Sequence, residues 1–128
     1  MNRIRVSSGS QYEKPIGFSR AVRIGNRISV AGTAPIADDG SPAFPGDLYN
    51  QTHRCLKIIK KAIEDAGGDL DQVIRTRVYL KDAETWEEAA KAHGEVFGEI
   101  RPACTFVEVS RFVDPRWLVE IEAECQIG

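Results

Sequence analysis

Glutamates recur at every second position near the end of the chain. In the run Val119–Gln126, Glu120, Glu122 and Glu124 alternate with apolar residues. A period of two is that of a β-strand, so the three carboxylates are expected to share one face of a sheet. Neighbouring carboxylates repel each other unless water screens their charges or nearby cations or protons neutralise them. This face is therefore either solvated or lines a site. The residues expected on the opposite face are Val119, Ile121, Ala123 and Cys125.

The other residues that commonly do chemistry are few and scattered. Cys55, Cys104 and Cys125 form no C-x-x-C pair, and His53 and His93 form no H-x-x-x-H pair. The sequence thus predicts neither a disulfide framework nor a zinc site, and the cysteines are expected to be reduced thiols. No metal and no cofactor is predicted.

Length and composition indicate one globular domain over residues 1–128. The chain has 42% hydrophobic and 28% charged residues, and its formal net charge is −2. A domain that binds nucleic acid usually carries a basic patch, so no nucleic-acid partner is expected. Residues 1–6 lack the long apolar core of a signal peptide, and no run of about 18 apolar residues occurs. We therefore expect no membrane association and a cytoplasmic location.

Runs that alternate at period two predict the strands. They cover residues 3–6, 21–24, 27–30, 73–80, 101–109 and 117–124. Gly25-Asn26 has the composition of a tight hairpin turn between the second and third runs. In the fourth run, Ile74, Thr76, Val78 and Leu80 are expected to face the helices.

Two segments have apolar residues at three- and four-residue steps and are predicted to be helices. The first covers residues 47–66 and ends at Gly67-Gly68, because glycine accepts the left-handed conformation that often follows a helix. The second starts at Thr85, where Thr-x-x-Glu matches a capping box, and Pro102 prevents its continuation. Its predicted buried stripe is Trp86, Ala89, Ala90, His93, Val96 and Phe97.

These elements predict an α+β fold with a six-stranded mixed sheet and both helices on one face. The opposite face would mix aromatic residues with charges of both signs, which suits a subunit interface better than a core. The residues assigned to this open face are Arg75, Arg77, Tyr79, Cys104, Phe106, Glu108, Glu120, Glu122 and Glu124.

Several stretches carry a resemblance to a known family. They are 17–21 (Gly-Phe-Ser-Arg-Ala), 30–35 (Val-Ala-Gly-Thr-Ala-Pro), 64–68, 76–82, 101–103 (Arg-Pro-Ala), 105–109 and 119–123 (Val-Glu-Ile-Glu-Ala). Over nearly its whole length the chain resembles the RidA/YjgF family, also called endoribonuclease L-PSP-like. The resemblance implies a chorismate mutase-like fold of the bacillus type and a cytosolic homotrimer. It also implies small-molecule pockets between subunits, in which several members hydrolyse an enamine or imine to a carbonyl compound and ammonia.

The resemblance also assigns candidate site residues. Glu120 matches the position that positions or activates water, and without the resemblance it would be interpreted as one rung of a salt-bridged ladder with Arg75 or Arg77. The matched substrate-binding positions are Phe18, Ala31, Gly32, Cys104, Thr105 and Phe106.

This chain departs from the family pattern at its substrate anchor. Active imine deaminases of the family carry an arginine that grips the substrate carboxylate, and here that position is Cys104. A thiol is a weak donor and cannot replace a guanidinium. Phe18, Ala31 and Phe106 also replace more polar residues, so the pocket is expected to prefer a neutral or aromatic ligand. The candidate replacement anchors are Arg101, Arg75 and Arg77.

Three roles for Cys104 remain open: a small filler, a pocket wall that sets specificity, or a nucleophile. A nucleophile needs a nearby base or cation, and His93 is expected on the other side of the sheet.

Three functions of the protein are also open. The first is a hydrolase that uses Glu120, the second a ligand-binding or regulatory trimer without catalysis, and the third a ribonuclease or translation inhibitor. The negative net charge argues against the third.

Overall fold

Six strands form a single mixed sheet in the computed structural model, which describes residues 2–128. The strand order is β1-β2-β3-β6-β4-β5, with one parallel pair, β4 and β5, and antiparallel pairing elsewhere. This confirms the predicted six-stranded mixed sheet and the α+β fold class. The strands are β1 (Arg3–Val6), β2 (Ala21–Ile24), β3 (Arg27–Thr33), β4 (Val73–Leu80), β5 (Ala103–Glu108) and β6 (Val119–Gln126).

The two predicted helices are α2 (Leu48–Asp65) and α3 (Trp86–Phe97), and a short helix α1 (Glu13–Ile16), which was not predicted, precedes β2. Asp47 caps α2 by accepting a hydrogen bond from the Asn50 backbone N–H at 3.0 Å. The predicted capping box at Thr85 is wrong. The Thr85 hydroxyl instead donates to the Asp82 carbonyl at 2.7 Å, because a 3₁₀ turn (Ala83–Thr85) leads directly into α3.

The core lies between the sheet and α2 with α3. Its fully buried members include Ile28 on β3, Ile59 and Ile63 on α2, Val78 on β4 and Ile121 on β6. Burying a side chain of this size stabilises the fold by about 1.5–3 kcal/mol. The core therefore fixes β6 at the centre of the sheet, with the glutamates of β6 on the opposite face.

Two expectations about buried side chains are wrong. Ile74 was expected to face the helices but is 47% exposed, because the β4–β6 register shifts between Val73 and Arg75. This bulge inserts one residue and reverses its facing. Trp86, expected on the buried stripe of α3, is 51% exposed in the first turn of that helix.

The facing assigned to β5 is also wrong. In the parallel β4–β5 pair, Cys104 is in register with Thr76, Phe106 with Val78 and Glu108 with Leu80. Residues in register point to the same side of a sheet. Cys104, Phe106 and Glu108 therefore lie on the side of the helices and not on the open face. Period two shows which residues share a face, but the pairing partner decides which face it is.

His93 is a packed histidine, as the sequence predicted. Its Nε2 lies 2.9 Å from the Thr76 hydroxyl, its ring lies 4.8 Å from Phe97 and 6.1 Å from Phe106, and burial lowers its pKa. Its position on the same side of the sheet as Cys104 differs from the expectation. However, the imidazole nitrogen is engaged by Thr76, and Cys104 is exposed.

Candidate functional site

Glu120 lies beside a small hollow of about 160 Å³ on the open side of the sheet. Aromatic side chains from three segments wall this hollow: Tyr12 just before α1, Phe18 after α1, and Trp117 just before β6. The rings of Tyr12 and Trp117 meet edge to face, with centroids 5.7 Å apart. The site thus combines one carboxylate with a mostly apolar lining, as pockets for small molecules often do.

A bulge in β3 brings Gly32 against Glu120. Val30 pairs with Ala123 and Thr33 with Ile121, so β3 has one more residue than β6 across this stretch. A Cβ atom on Gly32 would lie 2.9 Å from the Glu120 Oε2 atom. The Glu120 carboxylate can occupy this position because Gly32 has no Cβ atom.

Gly32→Ala is expected to lower the turnover of the reaction proposed below by about 10²-fold, because displacing a catalytic group by about 1 Å has effects of this size. The fold should survive, since the Gly32 backbone is outside the left-handed region. The measurement is kcat together with thermal unfolding. Gly94→Ala in α3 is the control, because a Cβ atom there meets nothing within 4 Å. Full activity in Gly32→Ala would contradict the assigned contact.

Glu120 differs from the two other glutamates on its face. Glu122 accepts a hydrogen bond from the Tyr79 hydroxyl at 2.7 Å. Glu124 is paired with Arg27 at 2.6 Å and Arg77 at 3.1 Å. Within residues 2–128, the half-buried Glu120 carboxylate has no hydrogen-bond partner. Glu122 and Glu124 therefore have partners on the open face, whereas Glu120 has none among the described residues.

Burial dominates the electrostatics of Glu120. Removal from water raises the pKa of this carboxyl, the positive charge of Arg20 lowers it, and the negative charge of Glu122 raises it further. The net effect is a raised pKa. A carboxylate of this kind is a stronger base than an exposed one, which suits a group that takes a proton from water.

Arg20 is the cation of the hollow, although it was not among the predicted site residues. The residue is 4% exposed. Its Nη1 donates to the Gly32 carbonyl at 2.7 Å and to the Thr33 hydroxyl at 3.2 Å, and its Nε donates to the Ser8 hydroxyl at 3.2 Å. Its guanidinium carbon also lies 5.2 Å from the centre of the Phe18 ring. Arg20 therefore holds the bulge that carries Gly32.

Glu13 completes this buried polar group. Its Oε2 atom lies 3.9 Å from Arg20 Nε and accepts hydrogen bonds from the backbone N–H and hydroxyl of Ser8 at 3.1 and 2.7 Å. Burial alone would raise the pKa of Glu13, but the hydrogen bonds from Ser8 and the charge of Arg20 hold it below its usual value. Glu13 and Arg20 together fix the segment that carries Tyr12 and Phe18.

The structure brings together only some of the predicted site residues. Phe18, Gly32 and Glu120 share the hollow. Ala31 lies in the adjacent bulge, where its N–H donates to the Arg20 carbonyl at 2.9 Å. The three candidates on β5 do not line the hollow, because β4 lies between β5 and β6 in the sheet. These three are Cys104, Thr105 and Phe106.

The residues named as replacement anchors do not line the hollow. Arg75 donates to the Thr105 hydroxyl at 2.7 Å, and Arg77 pairs with Glu124. Arg101 is exposed, just before β5. Its φ of 56° lies in the left-handed region.

Arg20 lies in the stretch 17–21, one of those that carry the family resemblance, but its residue type and spacing alone do not separate it from surface arginines. An arginine next to a strand normally has its charge in water, and only the buried partner Glu13 explains its position. Tyr12 was missed because it lies in no predicted element. Trp117 was placed in the last predicted strand but was not assigned to the site, and in the structure it precedes β6. Among residues 2–128, no cluster of three or more His, Cys, Asp or Glu side chains could hold a metal ion. The same residues include no helix with the length and hydropathy needed to cross a lipid bilayer.

Sequence comparison identifies the protein class that this fold and site define. The family model described as Endoribonuclease L-PSP matches residues 11–127, and the chain belongs to that family. This confirms the RidA/YjgF resemblance. A RutC family protein of Pyrococcus abyssi is 41% identical over 111 residues, which cover 86% of this chain and 87% of the relative.

Solved structures agree with this assignment. A Mycobacterium tuberculosis member of the YjgF/YER057c/UK114 family is 42% identical, with a TM-score of 0.89 over 98% of this chain and 100% of that one. A protein of Thermotoga maritima described as a putative endoribonuclease is 28% identical, with a TM-score of 0.88 over 100% of this chain and 99% of that one.

Proposed function

We propose that the protein is a hydrolase that converts a reactive imine or enamine to a carbonyl compound and ammonia. The observation that carries this proposal is the state of Glu120: a half-buried, unpaired carboxylate with a raised pKa in a mostly apolar hollow. A structural glutamate would be expected to pair as Glu122 and Glu124 do. An unpaired buried acid that remains in a cleft is a candidate functional group.

In this proposal, Glu120 orients a water molecule toward the carbon of the C=N bond and accepts a proton as the water attacks. The aromatic walls exclude other water and hold the apolar part of the substrate. Gly32 leaves room for the carboxylate, and Arg20 fixes the bulge by its bond to the Gly32 carbonyl. A lone carboxylate suffices as the proton acceptor because protonated imines are strong electrophiles.

We also propose that three copies associate through the open face and complete the cleft. The structure supports this in two ways. The edge strand β5 carries Cys104, Thr105 and Phe106 away from the hollow of its own chain. The open face also presents Val107, which is 41% exposed, in register with Tyr79. A β5 strand from a neighbouring copy would then supply the missing cleft wall through Thr105 and Val107, which lie on the open face in register with Arg77 and Tyr79.

Light scattering is expected to report three times the chain mass of 14.2 kDa. Val107→Glu should dissociate the assembly, because it places another negative charge on a face rich in glutamate and removes apolar contact area. Phe44→Glu is the control, since Phe44 is 52% exposed in a loop outside the sheet. A wild-type protein that elutes as a single chain at micromolar concentration would contradict the proposed cleft.

The test of the function is ammonia release from imines generated in solution. Purified protein is expected to accelerate the release at least about tenfold over buffer, since positioned general bases contribute more than this. The imines should include both aromatic and aliphatic ones, with and without a carboxylate. No acceleration for any of them would overturn the proposal.

A trimer that binds a ligand without turnover is the second candidate, and Cys104 favours it, because the family's anchoring arginine is absent there. It would show as thermal stabilisation by a metabolite that is not consumed.

We further propose a cytoplasmic location, because the free cysteines Cys55, Cys104 and Cys125 suit a reducing compartment.

A further inference from the structure

We propose that the hollow beside Glu120 selects a cationic ligand: an iminium or ammonium group on a small apolar or aromatic body that carries no carboxylate. This inference rests on the proposed function for the reaction and adds the class of substrate. It also assigns the source of selectivity to charges within the hollow, in place of the anchor position at Cys104.

The positive charge of Arg20 is already committed to this chain. Its Nε lies 3.9 Å from Glu13 Oε2, and Nε and Nη1 donate to the Ser8 hydroxyl, the Gly32 carbonyl and the Thr33 hydroxyl. Both Glu13 and Glu120 interact with the charge of Arg20. One guanidinium balances only one of these two carboxylates, so one negative charge is in excess when both are ionised, and Arg20 does not make the hollow an anion site.

The excess charge is located on Glu120. Glu13 has Arg20 and the N–H and hydroxyl of Ser8 as partners, whereas Glu120 has no hydrogen-bond partner among residues 2–128. An unpaired carboxylate in an apolar hollow attracts a cation more strongly than an exposed carboxylate does, because less water screens the two charges. A ligand carboxylate would be repelled by the same group.

The walls favour the same ligand. Tyr12 and Trp117 form an edge-to-face pair with an interplanar angle of 81°, and Phe18 lies in the same lining. Aromatic rings attract cations through their negative faces, and they provide apolar contacts for the rest of a ligand. The volume of about 160 Å³ is below the range of about 300–1,000 Å³ typical for drug-sized ligands, so the ligand portion held here is small.

The chemistry balances for a protonated imine. Water adds to the carbon of the C=N bond, and Glu120 takes one proton from that water. The resulting amino alcohol is protonated on nitrogen by Glu120. Its C–N bond then breaks while the hydroxyl proton passes to Glu120, which leaves the carbonyl compound and NH₃. Glu120 returns that proton to NH₃ to give NH₄⁺. The sum is R₂C=NH₂⁺ plus H₂O giving R₂C=O plus NH₄⁺, with Glu120 unchanged. The cationic substrate and the cationic transition states are both stabilised by the same carboxylate.

The test uses three probes with the same ring: benzylammonium, benzyl alcohol and benzoate. Titration calorimetry on the full chain is expected to show benzylammonium binding at least about tenfold more tightly than benzyl alcohol, and benzoate most weakly. Glu120→Gln should remove the preference for the ammonium. Glu122→Gln is the matched control, since its carboxylate is paired with Tyr79, and it should keep the preference.

Other outcomes would overturn the inference. These are tighter binding of benzoate, no measurable binding of benzylammonium, or a preference that persists in a Glu120→Gln protein with wild-type thermal unfolding. Failure of the proposed function has a different signature, because benzylammonium would still bind preferentially while no imine is hydrolysed. Turnover combined with a preference for benzoate would instead retain the function and reject the cationic substrate class.

Discussion

Glu120→Gln is expected to lower kcat for imine hydrolysis by about 10²–10⁴-fold, the usual contribution of a positioned general base. Glutamine has nearly the same shape as glutamate but cannot accept the proton of the attacking water. The substrate keeps its apolar contacts with Tyr12, Phe18 and Trp117 in this variant. The substitution should therefore lower kcat more than it weakens the binding of the apolar part of the substrate. Ammonia release at saturating substrate measures it.

The pH profile provides a second readout for Glu120. Burial raises the pKa of this carboxyl, and only the ionised form accepts a proton, so kcat should fall as pH decreases through this raised pKa. The acidic limb of the profile should be absent in Glu120→Gln. The charges that act on its pKa are those of Arg20 and of Glu122 on the same strand. The negative charge of Glu120 in turn raises the pKa of Tyr79 on β4 and of Cys55 on α2.

Glu122→Gln is the control for Glu120→Gln. Glu122 lies two residues further along β6 on the same face, and its carboxylate is paired with the Tyr79 hydroxyl at 2.7 Å. Its replacement changes the net charge of the strand by the same amount and should leave kcat nearly unchanged. Equal rates in wild type and Glu120→Gln would remove Glu120 from the mechanism.

Arg20→Met is expected to reduce the free energy of unfolding by about 3–5 kcal/mol, the cost of leaving one member of a buried ion pair without its partner. Both side chains are almost fully buried, at 5% exposure for Arg20 and 7% for Glu13. The substitution also removes the Nη1 donor from the Gly32 carbonyl, and an unsatisfied buried acceptor is itself destabilising. Urea unfolding followed by circular dichroism measures the change.

Two further variants test the cause of this loss. Adding Glu13→Gln to Arg20→Met should recover part of the stability, because the orphaned charge is then removed. Arg27→Met is the control, since the Arg27 side chain is 54% exposed and its pair with Glu124 lies at the surface, where such pairs contribute about 0–1 kcal/mol. A loss below about 1 kcal/mol in Arg20→Met would show that the buried pair is not structural.

Local patterns were sufficient to predict most of the elements. Strands β1, β2 and β4 have the predicted bounds, and β6 is shifted by two residues from the predicted range 117–124. Helix α2 is one residue shorter at each end than the predicted range 47–66. These predictions succeed because the hydrophobic period depends on neighbours within about four residues. The same reasoning missed α1, whose four residues are too few to show a helical period.

Facing and burial were predicted less well. Thr105 was grouped away from the open face, yet it accepts a hydrogen bond from Arg75 there. Phe106 was placed on the open face and packs beside His93. Each error arose at β5, an edge strand whose only partner is β4. Alternation along β5 is compatible with either facing, and only the register with β4 selects one.

The sequence by itself determined the family resemblance, the six-stranded sheet with two helices, and Glu120 as the candidate acid, because these depend on local spacing and on residue identity. Only the tertiary structure showed that Glu120 lacks a partner while its neighbours are paired, and that Arg20 is buried against Glu13. Both facts depend on contacts across strands and loops distant in sequence. The charge of a site is set by which of its groups are already neutralised, and that pairing exists only after the chain has folded.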